Sequence, residues 1–238
     1  MIGKDILSAW LERVIPSRCQ ECGAPSSTLL CDRCLETVKV IGGSCARCGL
    51  PYPENVPICG ACVGKRLYLD SVISLYIYQS PLKEVIHRWK YLRSYRAWNL
   101  LRDLFLSAIE AKKETLRALS VHAVVPVPLH WSRRWVREFN QSKMLSILVG
   151  DFLSIPVMEA VKRVRYTPPQ RGSSYHKRKE NIQGAFALKE EVRGKRILLV
   201  DDVATTLATA SEIGRILAKG GASEVHLLVL ARTVKAGS

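Results

Sequence analysis

The chain has 238 residues, 47% of them hydrophobic, which is enough apolar material to bury a substantial core in one or two domains. Lys and Arg outnumber Asp and Glu by 36 to 21, and the net charge of +15 suits an anionic partner such as nucleic acid, a phosphorylated metabolite or a membrane surface, or else serves solubility. No apolar run reaches the roughly 18–20 residues that span a bilayer, so a transmembrane protein is not expected, and a soluble cytoplasmic one is.

Residues 1–18 predict a short amphipathic helix, with Ile6, Leu7, Trp10, Leu11 and Val14 at helical spacing and Pro16 ending it. Asp5, Glu12 and Arg13 interrupt it, leaving no signal-peptide core, and its apolar face is expected to pack on the rest of the protein. All eight cysteines follow, as four Cys-x-x-Cys pairs: Cys19/Cys22, Cys31/Cys34, Cys45/Cys48 and Cys59/Cys62. Two-residue spacing lets both thiolates of a pair reach one tetrahedral Zn²⁺, so four pairs supply two complete Cys₄ sites with no ligand left over. Sequential pairing gives two zinc ribbons in a row, and a cross-braced arrangement is the alternative. Disulfides would need an oxidising compartment, and iron is the lesser alternative for a Cys₄ set. Closed Cys₄ sites are structural, and here they would hold together a segment too small to fold alone.

Lys65 to Leu69 reads as the junction with a second domain, giving boundaries of 1–64 and 66–238. Val72 to Tyr78 is a predicted strand, Pro81 opens a helix through Tyr91, and Trp98 to Leu119 continues as a second helical pattern. His87, Arg88 and Lys90 fit a solvated helix face better than an anion site. Val121 to Val127 is a further strand leading into Trp131, Arg133, Arg134 and Trp135, a basic stretch interleaved with aromatics. The run Pro126-Val127-Pro128-Leu129-His130, then Arg133 through Phe139-Asn140-Gln141, resembles the ComF family, called GntX in some members. Glu138 stands where that family has Gly. Arg163, Arg165, Thr167 and Gln170, then Arg178, Asn181, Ile182, Ala185 and Phe186, follow the same family's pattern around a loop charged by Lys177, Arg178 and Lys179.

Arg196 to Val200 is a short apolar run of the kind buried on both faces of a parallel sheet, and it ends on Asp201 and Asp202. From Thr205 the pattern turns helical, so Thr205, Thr206 and Thr209 fall at or near a helix start, where hydroxyls and free N–H groups make an anion site beside the carboxylates. In an open α/β sheet, ligands bind at that carboxyl edge. Gly220-Gly221-Ala222 ends the helix, and Val225 to Ala231 forms a last strand in which His226 is expected to be a packed core residue.

The 196–210 stretch resembles the binding motif of type I phosphoribosyltransferases, with Leu207 in place of the family's Gly. Together the resemblances cover nearly the whole chain. They imply an α/β fold in which an N-terminal double zinc ribbon precedes a phosphoribosyltransferase-like, Rossmann-like parallel-sheet domain. They also imply a ligand, phosphoribosyl pyrophosphate (PRPP) with Mg²⁺: Asp201 and Asp202 on the ribose, Thr205, Thr206 and Thr209 on the 5′-phosphate, and Arg133 and Arg134 near the pyrophosphate. Transfer to a nitrogen acceptor is the implied chemistry, although Leu207 and Glu138 both point to weakened or lost catalysis. The alternative is a non-catalytic adaptor for single-stranded nucleic acid, using Trp131, Trp135, Lys177 and Arg178 for stacking and backbone neutralisation, with competence or DNA-processing machinery as partner.

Overall fold

A computed structural model describes residues 18–129, 140–165 and 182–234. The N-terminal helix expected over residues 1–18 therefore lies outside the described residues, apart from Arg18. The described chain divides into two compact units, residues 18–39 with 79–103 and residues 40–78 with 104–234.

The first unit begins with a cysteine-rich segment containing one turn of helix, α1 (Asp32–Leu35). Helix α2 (Leu82–Leu92) places Leu82, Val85, Ile86 and Trp89 at i, i+3, i+4 and i+7, and all four are buried. It stops at Arg93, whose φ of 51° is left-handed. Helix α3 (Tyr95–Ala111) follows, its residues up to 103 belonging to this unit and the rest to the second, and Trp98 stacks on Trp89 at 5.1 Å between ring centroids. An Arg96 Nη2 bond of 2.9 Å to the Ser27 carbonyl ties α3 to the cysteine-rich segment.

The second unit opens with a small antiparallel pair, β1 (Gly43–Ser44) and β2 (Pro51–Tyr52), and a 3₁₀ turn at Gly60–Cys62. Then come β3 (Ser71–Ile77), α4 (Lys113–Ala118), β4 (Ala123–Pro126), α5 (Gln141–Leu153), β5 (Val161–Arg163), β6 (Phe186–Leu188), β7 (Arg196–Ala204), α6 (Ala208–Lys219) and β8 (Glu224–Arg232). Four strands form an all-parallel sheet in the order β3-β8-β7-β4, so their carboxyl ends share one edge. Strands β5 and β6 form a separate antiparallel pair.

Two elements differ from the sequence pattern. The helical stretch 98–119 is broken at Lys112, whose amide is shared between the carbonyls of Ala108 and Ile109, both at 3.2 Å, and whose Nζ donates to the Gly42 carbonyl at 3.2 Å. Strand β7 does not end at Val200, because β8 continues alongside it as far as the Ala204–Arg232 pair. Asp201 and Asp202 are consequently successive strand residues, which leave a pleated strand on opposite faces. His226 is buried as expected, with Nδ1 at 2.8 Å from Ser71 Oγ and Nε2 at 3.0 Å from Glu224.

The core of this unit is continuous with its cysteines. Cys45, Cys48, Cys59 and Cys62 belong to one buried cluster with Ile197 and Leu199 of β7, Leu227 of β8 and Ile213 and Leu217 of α6. The knuckle backbone is sewn to β3, with the Val72 amide donating to Ala46 at 2.8 Å. Gly49 completes the join: its φ is +67°, and a Cβ there would strike Ser74 Oγ and come within 2.7 Å of Val72 Cγ1. Gly49→Ala should therefore cost about 2 kcal/mol or more through left-handed strain and overpacking, read as a lower urea midpoint. An unchanged midpoint would show that the knuckle can move away from β3.

Candidate functional site

The cysteines assemble sequentially. Cys19, Cys22, Cys31 and Cys34 converge in the first unit and Cys45, Cys48, Cys59 and Cys62 in the second, the sulfurs of each set lying within 4.8 Å of one another. This settles the pairing that spacing left open in favour of two consecutive sets over a cross-brace. All eight are free thiols, so none forms a disulfide. Tetrahedral zinc with Zn–S bonds of about 2.3 Å separates its sulfurs by about 3.8 Å. The Cys22–Cys31 and Cys48–Cys59 distances, 3.7 and 3.6 Å, match that geometry.

The thiols are electrostatically uneven. Hydrogen bonds from the backbone at Cys22 and Cys31 hold the Cys19 thiol down to about 6. Burial works against the Cys59 thiolate, but hydrogen bonds from Cys48, Cys45 and Cys62 outweigh it and bring its pKa to about 7. Burial pushes Cys34 up to about 12 and Cys48 upward as well. Four sulfurs this close cannot all ionise without a cation among them, and a divalent metal is what such a donor set fits.

At the carboxyl edge of the sheet, β7 passes through Thr205–Leu207 into α6. Asp201, Val203 and the segment from Ala204 to Ala210, with Thr205, Thr206 and Thr209 among them, line a shallow cavity. Asp202, only 8% exposed, is not among the lining residues, in keeping with its place on the other face of the strand. No acidic residue occupies the first turn of α6, and Leu207, its N-cap, supplies no side-chain acceptor; the Ala208 amide donates to Thr206 Oγ1 at 3.5 Å, and Ala208, Thr209 and Ala210 line the cavity at the positive end of the helix dipole.

Leu207 clarifies the departure from the motif. Its φ is 61° and ψ 4°, the left-handed conformation that Gly adopts without cost, so the turn keeps its shape with a leucine in it. The side chain is 5% exposed and packs in the core cluster with Ala210 and Ile213.

Residues outside the predicted site set hold Asp201 and neighbouring backbone in place. Ser142, at the start of α5, donates from Oγ to Asp201 Oδ1 at 2.8 Å, and the Asp202 amide donates to the same oxygen at 2.9 Å. Asn140 caps α5 by accepting from the Ser142 amide at 3.1 Å. Ser142→Ala should weaken binding of a ligand hydroxyl at Asp201 several-fold by removing one of the two donors that orient its carboxylate, measured as a rise in Kd with little change in melting temperature. Equal affinity would remove Ser142 from the site. Glu212 on α6, 8% exposed, is held by Arg215 through two bonds of 2.8 Å and accepts from the Gly184 amide at 3.0 Å, just before β6. Its helical spacing gave no sign of this, since an acid on an amphipathic helix reads as a solvent contact. Trp131, Arg133, Arg134, Trp135, Glu138, Lys177 and Arg178 lie outside the described residues. Among the described residues no helix is long and apolar enough to cross a membrane.

A double zinc ribbon domain model matches residues 10–63, and a phosphoribosyl transferase domain model matches residues 142–237. Competence protein F of Haemophilus influenzae is 34% identical over 207 residues, covering 85% of this chain and 90% of that one. DNA utilization protein YhgH of Escherichia coli K12 is 34% identical over 228 residues, covering 92% and 99%. A solved purine phosphoribosyltransferase from Pyrococcus horikoshii is 20% identical with a TM-score of 0.35, covering 52% of this chain and 69% of that one.

Proposed function

This chain belongs to the family of competence protein F and DNA utilization protein YhgH, and on that premise we propose that it serves competence or DNA utilisation in the cytoplasm through a PRPP site built on the β7–α6 turn. The observation that carries the reading is Leu207: at φ 61° the turn holds the shape that a phosphate loop requires of glycine, beside Asp201 and three threonines.

In this reading the first-turn amides of α6 and the hydroxyls of Thr205, Thr206 and Thr209 bind the 5′-phosphate, since a helix start favours an anion. Asp201, oriented by Ser142 and the Asp202 amide, accepts from the ribose hydroxyls, and Asp202 contributes through that amide. Arg133 and Arg134 approach the pyrophosphate. Mg²⁺ accompanies the ligand and offsets its charge, and zinc in the two Cys₄ sets is structural. If transfer occurs, a nitrogen of the acceptor bonds to C1 while the C1–O bond breaks and pyrophosphate departs with the bonding pair, the acceptor's proton passing to solvent. The sugar carries cation-like charge at that moment, and carboxylates nearby stabilise it.

The test of transfer is release of pyrophosphate from PRPP in the presence of candidate nitrogen acceptors, expected only with Mg²⁺. Absence of release with demonstrated PRPP binding would make the domain a sensor or carrier of the ligand.

The net charge of +15 favours a second role, as an adaptor for single-stranded DNA that engages Trp131, Trp135, Lys177 and Arg178 and hands the strand to DNA-processing machinery. Affinity for a single strand should then fall steeply with salt, and a flat salt dependence would contradict this role.

A further inference from the structure

One buried cation joins the two sites of the second unit. Arg232, at the end of β8 and 5% exposed, donates from Nε to the carbonyl of Cys48 at 3.0 Å. Its Nη1 donates to the carbonyl of Ala204 at 3.1 Å and to that of Thr205. Cys48 is a member of the second cysteine set, and Thr205 opens the turn that leads to α6. A single planar group therefore spans from the metal knuckle to the candidate phosphate loop.

The chemistry of the guanidinium makes this more than packing. Buried charge is tolerated only when its donors are satisfied and its charge is offset. Carbonyls accept from Nε and Nη1 here. The charge is offset by the cysteine set itself: four thiolates around a divalent ion carry a net charge of −2, directly beyond the Cys48 carbonyl that Arg232 holds. The fork geometry matters too, because Arg can hold acceptors on two sides at once, whereas Lys presents a point charge. The neighbouring backbone reinforces the bridge, with the Thr233 amide donating to Ala204 at 3.0 Å and β7 paired to β8 through Ala204 and Arg232.

We propose that Arg232 is a positioning residue that couples metal occupancy of the Cys45, Cys48, Cys59 and Cys62 set to the conformation of the Thr205–Leu207 turn that leads into α6, so that this zinc site controls ligand binding as well as stability. By linkage, whatever binds the loop tightens metal retention, and by the same factor as the metal tightens ligand binding. This coupling rests on the PRPP reading for its ligand, but the loop's dependence on Arg232 stands without it.

The experiment uses the full chain loaded with two equivalents of zinc, and Arg232→Gln and Arg232→Lys variants of verified zinc content. Amide hydrogen exchange over residues 205–210 should be about tenfold faster in Arg232→Gln, with a smaller change in Arg232→Lys. Zinc release to a chromophoric chelator is then followed with and without PRPP and Mg²⁺. In the wild type one of the two release phases should slow about fivefold or more, and the slowing should vanish in Arg232→Gln. A stabilising residue without a coupling role would alter basal release but leave the ligand effect intact. Unchanged loop exchange in a zinc-loaded variant, or PRPP binding that slows neither phase in the wild type, would overturn the coupling. If PRPP does not bind the wild type at all, the ligand reading fails and the exchange comparison alone decides the clasp. Should Arg232→Gln not fold, the wild-type release phases decide it.

Discussion

Replacing Cys45 with serine should abolish the cooperative unfolding of the parallel-sheet unit, whereas replacing Cys22 should leave that transition in place. The asymmetry follows from where each set sits. Cys22 is exposed and belongs to the first unit, while Cys45 is fully buried in the same apolar cluster as Ile197, Leu199 and Leu227. Structural zinc in small motifs is worth about 10–16 kcal/mol at neutral pH, against a total stability of about 5–15 kcal/mol for a domain. Losing the second metal would also leave unpaired thiols beneath the sheet, where Arg232 and Val72 depend on the knuckle backbone. Thermal denaturation followed by circular dichroism, with zinc content measured for each variant, tests this. A Cys45→Ser protein that has lost one zinc yet melts normally would show that the second knuckle hangs on the sheet without supporting it.

Leu207→Gly should lower stability by about 1–3 kcal/mol and leave PRPP affinity within about twofold of wild type. Two effects oppose each other. Relieving a left-handed leucine gains about 1–2 kcal/mol, while removing a side chain that is 5% exposed forfeits about 2–5 kcal/mol of transfer and cavity energy. Burial is the larger, so the loss wins. Affinity is expected to hold because the backbone already has the turn that glycine would give it. Urea denaturation and calorimetric titration read the two quantities separately. A stability gain would mean that strain outweighs packing, and a large affinity gain would mean that the leucine side chain obstructs the phosphate.

The parts of this molecule that were legible in the sequence are those with local signals. Two-residue cysteine spacing disclosed both metal sets, and the branched run before Asp201 disclosed the central strand and the turn after it. What escaped was decided by chain segments far apart. The true end of β7 depends on how far β8 accompanies it. Arg232 carries no local signal, since its carbonyl partner Cys48 is 184 positions away. Glu212 and Ser142 carry side chains common on helix surfaces, and only their contacts with Gly184 and Asp201 reveal a role. Strands β5 and β6, three residues each, are too short for alternation to be seen.

The most direct test of the PRPP site is calorimetric titration of the zinc-loaded chain with PRPP, with and without Mg²⁺, compared with Asp201→Asn, Asp202→Asn and the double variant. Saturable, Mg²⁺-dependent binding is expected in the wild type, reduced about tenfold or more by Asp201→Asn, which lines the cavity, and less by Asp202→Asn, which does not, with the double variant silent. No binding by the wild type, or full binding by the double variant, would contradict a ribose and phosphate site on the β7–α6 turn.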